Sequence, residues 1–250
     1  MDQSVFEKVY RGRQGALHHT AYMRMGKVLL ALRALAGVGI SLRGRSLFDY
    51  GFGAGTFFRY CPPEARLFGV EMDEENIREV KGMLEKRGLQ ADLQKIEIEN
   101  WSEHPLLQRS YEVFLCSHVL EHLPDPVEFL TKVRSCITAD GVFVGLVPLN
   151  ELVANPHHVH APNREMISSW VTAAGYRMLS YEENDPFIYR FQPLYAVDGG
   201  WKHKLAQAVS LGLGIPATIL GQRAWFALGR VFAAFTRSKP SQAVFVAKRI

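Results

Sequence analysis

From residue 46 onward, the chain alternates between short apolar segments and segments with the periodicity of helices. The short segments have the length of strands: SLFDYG, ARLFGVEM, ADLQKIEI, YEVFLCS and GVFVGLVP. Helical stretches such as EENIREVKGMLEKRG and DPVEFLTKVRSCI separate them. This alternation implies right-handed crossovers and predicts an α/β fold, with a mostly parallel sheet covered by helices on both faces. In such sheets, ligands bind beyond the carboxyl ends of the strands.

Three regions are predicted along the chain. The segment MRMGKVLLALRALA has apolar residues at helical spacing, so residues 1–45 are predicted to form an N-terminal helical cap. Residues 46–186 and 240–250 form the sheet domain, because SQAVFVAKRI alternates like a strand. Residues 187–239 are rich in aromatics, Gly and Pro and lack a strand pattern, which predicts a helical insertion before the last strand. A chain of 250 residues suits one domain of ordinary size with such an appendage.

Cysteine content and charge distribution narrow the classes of function. The three cysteines form no C-x-x-C pair, which argues against a disulfide framework or a thiolate zinc site and favours a cytoplasmic location. The N-terminal residues contain no apolar core of an export signal. Residues 199–250 carry eight Lys and Arg residues and no Asp or Glu. Because these charges alternate with apolar residues instead of forming a continuous basic face, no nucleic-acid partner is expected.

The glycine-rich segment LFDYGFGAG follows the first predicted strand. A phosphate-binding loop of the Walker type would need a lysine directly after the glycines, and here the next lysine is Lys81. A dinucleotide loop would need a glycine where Thr56 stands. Asp49 precedes the loop, and its carboxylate would repel a pyrophosphate but attract an ammonium or sulfonium group. Glu71 ends the second predicted strand, where an acidic side chain can accept both hydroxyls of a ribose. The pattern predicts a site for a positively charged nucleoside.

The segments LFDYGFGAG, GVEMD and YEVFLCSHVLEHLPDP resemble, in order and spacing, the motifs of the first, second and fourth strands of class I S-adenosylmethionine-dependent methyltransferases. The resemblance covers the chain from about Ser46 to Tyr181. It implies a Rossmann-like, doubly wound sheet of seven strands. It also implies S-adenosylmethionine as cofactor, with S-adenosylhomocysteine as product. Residues 187–239 would then form a helical insertion or a lid over the acceptor site.

The same resemblance implies which residues bind the cofactor. These residues are Asp49, Gly51, Gly53, Gly55, Glu71, Met72, Glu97, Ile98, Ser117 and His118. The first four would hold the methionine moiety, and the next two would contact the ribose and the adenine ring. Glu97 and Ile98 would contact the adenine edge, with Glu99 as the alternative if the register differs by two residues. Ser117 and His118 would line the cofactor near its sulfonium.

The segment HVLEH contains the H-x-x-E-H pattern of some zinc peptidases, a pattern that must lie within a helix. Here the pattern starts at a strand end and is followed by LPDP, whose prolines belong to the start of the next helix. No metal site is therefore predicted, and His122 is expected to bond to the backbone.

His157, His158 and His160 lie in the segment ANPHHVHAPN, just after the fifth predicted strand. They are either solvated side chains of a surface loop, or one of them faces the acceptor as a general base, because histidine titrates near neutral pH. An oxygen acceptor would need such a base, whereas an electron-rich carbon or an amine could react through positioning alone. The sequence leaves these possibilities open.

Residues 221–237 are predicted to form an amphipathic helix. Trp225, Leu228, Phe232 and Phe235 recur at helical spacing, and three arginines recur every seven residues on the opposite side. Such a helix either packs on the domain or, within residues 201–238, contacts a membrane surface or covers a substrate.

Taken together, the predicted function is methyl transfer from S-adenosylmethionine to a small, hydrophobic acceptor through its oxygen, carbon or nitrogen, as in natural-product or secondary-metabolite biosynthesis. Two alternatives remain: a lipid-linked or sugar acceptor at a membrane surface, to which the protein would be peripheral, and a cofactor-binding member of the fold with other chemistry.

Overall fold

The computed structural model describes residues 22–152, 155–184 and 229–250, together with residues 201, 205, 208, 209, 211, 212, 226 and 227. Within this part of the chain, the strands are β1 (Ser46–Tyr50), β2 (Arg66–Glu71), β3 (Ala91–Lys95), β4 (Tyr111–Ser117), β5 (Ile137–Pro148), β6 (Tyr176–Asn184) and β7 (Gln242–Arg249). They form one sheet in the order β3-β2-β1-β4-β5-β7-β6. β7 is antiparallel to β5 and β6, and the other neighbouring strands are parallel. The predicted doubly wound, mostly parallel sheet is confirmed.

The helices cover both faces of this sheet. The α-helices are α1 (Tyr22–Gly37), α2 (Thr56–Arg59), α3 (Glu74–Glu85), α4 (Pro126–Val133) and α5 (Arg164–Ala173). Short 3-10 helices occupy Trp101–Glu103, Pro105–Gln108, Leu120–His122 and Arg134–Cys136. Asp73, Asp125 and Asn163 precede α3, α4 and α5, and each side chain accepts a hydrogen bond from a backbone N–H of the first turn. These N-caps fix where the helices begin.

Two apolar layers lie on opposite faces of the sheet because successive strand residues point to opposite sides. Leu47, Val113 and Val244 belong to the layer covered by α1, α2 and α3. Phe48 and Phe114 belong to the layer covered by α4 and α5. The described helix of the N-terminal region, α1 (Tyr22–Gly37), is thus one of the helices that cover the sheet. The boundary of a cap at residues 1–45 stays a prediction.

Two strands have bounds that differ from the predicted ones. β3 ends at Lys95 instead of continuing to Ile98, because the chain leaves the sheet after the Ile96 N–H bonds to the Glu71 carbonyl. β5 begins at Ile137, four residues earlier than GVFVGLVP suggested, and its pairing with β4 contains an irregularity between Tyr111 and Val113. Residues near the start of β5 are exposed and polar, so a prediction based on apolar segments did not include them.

The predicted helical insertion is described only in part. Residues 229–236 are helical, and Arg237, with a φ of 52°, follows this helix. Phe226 is buried beneath the guanidinium of Arg33, and Phe232 packs against the core. Phe235, however, is 85% exposed, so it does not pack on the domain, as the first of the two predicted alternatives would require. Trp225 and Leu228 lie outside the described residues.

The order of the strands places the crevice for a ligand. The connection from β1 leads to β2 on one side of the sheet, whereas β4 pairs with β1 on the other side. The loops after β1 and β4 therefore diverge at one point, and open α/β sheets bind their ligands at such a switch point. The glycine loop and the HVLEH segment both start there.

Candidate active site

The loop after β1 has a backbone conformation that requires its glycines. Gly51, Gly53 and Gly55 have φ angles of 70°, 51° and 66°, in the left-handed region that side chains disfavour. A Cβ on Gly55 would lie 2.7 Å from both methyl carbons of Val80, and a Cβ on Gly51 would lie 3.1 Å from Val119 Cγ2. The loop is thus fitted closely between α3 and the segment that follows β4.

Glu71 holds this loop in place. Its Oε2 accepts a hydrogen bond of 2.7 Å from the Gly53 N–H, and its Oε1 accepts bonds of 2.9 Å and 3.3 Å from the N–H groups of Met72 and Asp73. Burial raises the pKa of Glu71, while these three bonds act in the opposite direction. Each carboxylate oxygen has further lone pairs, so binding of ribose hydroxyls stays a prediction compatible with this geometry.

Asp49 has a buried carboxyl group, and one of its oxygens lacks a hydrogen-bond partner among the described residues. It lies near the carboxyl end of β1 and is 3% exposed. Its Oδ1 has no hydrogen-bond partner among the residues that the structure describes. Burial, and secondarily the charge of Glu71, raises the pKa of Asp49 well above its ordinary value. A cationic ligand would supply the missing partner.

The residues predicted to contact adenine differ in their surroundings. Met72 is half-buried directly after β2. The Glu97 carboxylate lies 2.9 Å from Lys95 Nζ, which also lies 3.3 Å from a carboxylate oxygen of Glu74. Glu97 and Ile98 are both exposed and follow the carboxyl end of β3. Their contact with an adenine edge stays a prediction.

The segment after β4 carries a second polar group at the switch point. Ser117 is half-buried at the end of β4, and His118 follows with a φ of 57°. His118 Nδ1 lies 3.3 Å from Glu121 Oε1, and Nε2 lies 3.4 Å from Gln242 Oε1. Glu121 is 0% exposed, and neither of its carboxylate oxygens forms a hydrogen bond within the described part of the chain. The imidazole therefore lies between a carboxylate and an amide oxygen.

Two of the loop histidines are engaged by groups of the protein itself. His158 Nδ1 lies 2.7 Å from Glu151 Oε2, and its Nε2 lies 3.0 Å from Asn155 Nδ2. His160 Nε2 lies 3.0 Å from the Leu123 carbonyl, and its ring packs edge-on against Trp170. A role of His157, His158 or His160 as general base stays a prediction.

His122 bonds to the backbone as the sequence predicted, with Nδ1 2.9 Å from the His157 carbonyl. Glu121, His122 and His158 each offer a ligand atom within 4.8 Å of the others. The sequence did not reveal this proximity, because Asn155 to His160 fold back onto the segment after β4 through bonds to the Glu121 carbonyl. Both nitrogens of His158 already have protein partners, so we assign no metal to the cluster.

Sequence reasoning missed Lys27, Glu121 and Gln242 as members of this site. Lys27 lies on α1, and its charge acts on the His118 imidazole. Gln242 begins β7, more than a hundred residues from His118 in the chain. Only Glu121 had a local signal, because it lies within the HVLEH motif. Lys27 comes near His118 through the packing of α1 on the sheet, and Gln242 does so through the pairing of β7 with β5.

Comparisons with known proteins agree with this architecture. A family profile described as a methyltransferase domain matches residues 18–181. Ubiquinone biosynthesis O-methyltransferase of Actinobacillus pleuropneumoniae is 26% identical over 104 residues, 40% of this chain and 44% of that protein. The protein of the same name from Stutzerimonas stutzeri is 30% identical over 100 residues, 40% of this chain and 41% of that protein. The matched segments thus span less than half the length of these relatives.

Among solved structures, coclaurine N-methyltransferase bound to N-methylheliamine and S-adenosylhomocysteine superimposes with a TM-score of 0.65 and 12% identity, over 99% of this chain and 81% of that one. At this identity the likeness shows a common fold. The family profile covers well over half of the chain, and its range includes the glycine loop, Glu71 and the segment after β4. The chain therefore belongs to the methyltransferase domain family, and its fold is that of solved methyltransferase structures.

Proposed function

We propose that this methyltransferase methylates a hydroxyl oxygen of a small, hydrophobic molecule in a biosynthetic pathway. The observation that carries the cofactor half of the proposal is the buried Asp49 carboxyl, whose Oδ1 has no partner within the described residues. A buried carboxylate without a partner is costly, and a cationic ligand offsets that cost. S-adenosylmethionine carries an ammonium and a sulfonium group, so its methionine end fits this requirement.

Support for an oxygen acceptor comes from the relatives in A. pleuropneumoniae and S. stutzeri, whose name specifies O-methyl transfer in ubiquinone biosynthesis. Their low identity and partial coverage leave the acceptor as part of the proposal. Support for a hydrophobic acceptor comes from the exposed apolar side chains in the region predicted to cover the site, namely Trp201, Leu205, Val231 and Phe235.

The mechanism assigns binding and alignment to the residues of this chain. When bound, S-adenosylmethionine supplies an activated methyl group, so no covalent bond to the protein is needed. Asp49 would bind the positively charged methionine end, and Glu71 would accept the ribose hydroxyls while it holds the loop through the Gly53 N–H. The bare backbone at Gly51 and Gly53 would let the cofactor approach closely. The protein then contributes mainly alignment and exclusion of water.

Calorimetry with S-adenosylhomocysteine tests the cofactor half, and a methyl-transfer assay with catechol as the probe acceptor tests the oxygen preference. We expect binding to the wild-type protein, none to Asp49→Ala, and a methylated catechol in the presence of S-adenosylmethionine. Binding that survives in both Asp49→Ala and Glu71→Ala would contradict the assigned site. Methylation of amine probes alone would replace oxygen by nitrogen as the acceptor. Cofactor binding without transfer to any probe would favour other chemistry on this fold.

A second candidate, methylation of a lipid-linked acceptor at a membrane surface, is supported by one patch. Val231 and Phe235 are exposed on the helix of residues 229–236, next to the exposed Arg230. An apolar surface bordered by basic side chains suits an anionic membrane surface. No helix among the described residues has the length and apolarity to cross a bilayer. Binding of the protein to anionic vesicles separates this candidate from a freely diffusing acceptor.

A further inference from the structure

We propose that His118 is the general base that accepts the proton of the acceptor hydroxyl, and that the buried Glu121 is the positioning residue that holds its imidazole. This inference rests on the proposed oxygen methylation and deepens it. It names a residue outside the loop that carries His157, His158 and His160.

The position of His118 in the fold supports this role. His118 directly follows β4, and β4 pairs with β1 so that Tyr50 lies opposite Cys116. The glycine loop approaches the residue after His118, because a Cβ on Gly51 would lie 3.1 Å from Val119 Cγ2. The imidazole therefore lies at the switch point, on the β5–β7 side of the glycine loop. A cofactor bound through Asp49 would occupy the same switch point.

The orientation of the His118 imidazole also supports this role. Glu121 Oε1 lies 3.3 Å from His118 Nδ1, so an ionised Glu121 favours the tautomer that carries the proton on Nδ1. Glu121 is fully buried, and neither oxygen is committed to a hydrogen bond with another described group. With the proton on Nδ1, the Nε2 lone pair is available to accept a proton. A carboxylate that fixes the tautomer of a catalytic imidazole has the same role in other acid–base sites.

The groups around the His118 imidazole would stabilise its charged form. Gln242 Oε1 lies 3.4 Å from Nε2, at the long limit of a hydrogen bond, so this contact is weak. After protonation, the ring has Glu121 on one nitrogen and the Gln242 amide oxygen near the other. Both groups stabilise the imidazolium that proton transfer creates.

The backbone conformation of His118 is also typical of a functional position. His118 has a φ of 57°, in the left-handed region that residues other than glycine rarely adopt. The His118 N–H donates to the Leu146 carbonyl at 2.8 Å, which ties this conformation to β5. Strained conformations of this kind persist where the surrounding structure enforces them and are concentrated at functional sites.

The protonation state agrees with a base. Burial, followed by the positive charge of Lys27 on α1, lowers the pKa of His118, whereas Glu121 and Gln242 act in the opposite direction. The imidazole is thus neutral at pH 7 and ready to accept a proton. Burial opposes ionisation of Glu121, yet its contact with His118 brings the pKa of Glu121 below the ordinary value.

The proposed reaction is a displacement at the methyl carbon. The acceptor oxygen forms its bond to the methyl carbon while the bond between that carbon and sulfur breaks, and sulfur keeps the electron pair. The proton of the acceptor hydroxyl moves to His118 Nε2 and leaves to solvent after product release.

Kinetics with two probe acceptors test the base. Catechol needs its proton removed, whereas 4-nitrocatechol, whose hydroxyl is far more acidic, does not. We expect His118→Gln to reduce transfer to catechol by roughly 10²–10⁴-fold, to reduce transfer to 4-nitrocatechol much less, and to abolish the rise of kcat with pH. His157→Gln should keep that rise. Loss of the rise in His157→Gln, or its persistence in His118→Gln with undiminished transfer to catechol, would overturn the proposal.

Nuclear magnetic resonance of the imidazole nitrogens gives a readout that does not depend on the acceptor. We expect His118 to be neutral at pH 7 with its proton on Nδ1. Its titration midpoint should be lower with S-adenosylmethionine bound than with S-adenosylhomocysteine, because only the former carries a sulfonium. Glu121→Gln should lower the midpoint further. A charged ring at pH 7, a proton on Nε2, or equal midpoints with the two ligands would overturn the assignment. Failure to bind S-adenosylhomocysteine at all would instead overturn the cofactor site.

Discussion

The two sides of the switch point are built in different ways. On the side proposed to bind the cofactor, here called the cofactor side, Asp49, the three loop glycines and Glu71 all come from one β-loop-α-β segment, and much of the site is backbone. On the side proposed to bind the acceptor, here called the acceptor side, His118 lies close to Gln242 from β7 and within the electrostatic influence of Lys27 from α1. One side depends on a short stretch of sequence, and the other depends on how the whole sheet is ordered.

This difference explains what each side can tolerate. The side that includes Asp49 is constrained by steric limits and by a buried carboxyl whose Oδ1 has no partner among the described residues, so single-atom changes there should have large effects. The described groups on the other side are side chains from separate elements, and we expect substitutions there to alter proton transfer or recognition with a smaller effect on stability. Perturbations of each side, and of the surface beyond it, test this contrast.

The largest effect is expected for Asp49→Asn. The variant keeps the shape of the side chain but loses the charge that would bind the cationic end of the cofactor, so we expect S-adenosylhomocysteine affinity to fall by about 100-fold or more. The same change should stabilise the ligand-free protein. Burial raises the pKa of Asp49 in the folded protein. The contribution of Asp49 to stability is therefore fully present below the pKa that Asp49 has in the unfolded chain, and it is lost as pH rises through the pKa of Asp49 in the folded protein. Removing the ionisable group should therefore raise the free energy of unfolding at pH 7 by at least about 1 kcal/mol.

Calorimetry and thermal unfolding of the same samples would measure both effects. Asp140→Asn is a matched control, because Asp140 is almost fully exposed on β5 and pairs only with Lys248 among the described residues. It should change neither quantity. A drop in stability of Asp49→Asn would mean that the carboxyl has a structural partner, contrary to the geometry of the cofactor side.

Gly55→Ala should have the next largest effect, on stability. The new Cβ would lie 2.7 Å from the methyl carbons of Val80, at a φ of 66°. Overpacking and left-handed strain together cost about 2 kcal/mol, measured by chemical denaturation. Gly82→Ala in α3 is the control, since nothing lies within 4 Å of its Cβ position and alanine stabilises a helix interior by about 0.5–1 kcal/mol. Equal effects of the two substitutions would show that the loop relaxes freely.

The pH dependence of cofactor binding should be a smaller effect. Asp49, with its raised pKa, must lose its proton to pair with a cation, so binding releases a proton below that pKa. Apparent affinity for S-adenosylmethionine should rise with pH, by at most about tenfold per unit, and level off above the Asp49 pKa. Calorimetry in two buffers with different ionisation enthalpies would count the protons. Asp49→Asn should show no such release, and a wild-type affinity that falls with rising pH would contradict the assigned sign.

The sequence predicted the cofactor side and the sheet more completely than the acceptor side, for a physical reason. Alternating apolar patterns and the spacing from Gly51 to Glu71 are local, so they can be read without coordinates. The structure added that Glu71 accepts the Gly53 N–H, a contact that depends on the exact path of the loop. The proximity of His118 to Gln242 depends on β7 pairing with β5, which no local pattern encodes. The exposure of Phe235 likewise depends on how its helix rotates against the core.

The smallest effect on the fold is expected at that exposed side chain. Phe235 is 85% exposed, so Phe235→Ser should change the free energy of unfolding by less than about 0.5 kcal/mol. If the patch with Val231 and Arg230 contacts an anionic membrane, the variant should float less with phosphatidylserine vesicles than the wild-type protein at low salt. Ile250→Ser is the control, because Ile250 is equally exposed at the end of the chain, just after β7. If neither the wild-type protein nor the control floats, the membrane-surface acceptor is eliminated and Phe235 remains available to contact a diffusing, hydrophobic acceptor.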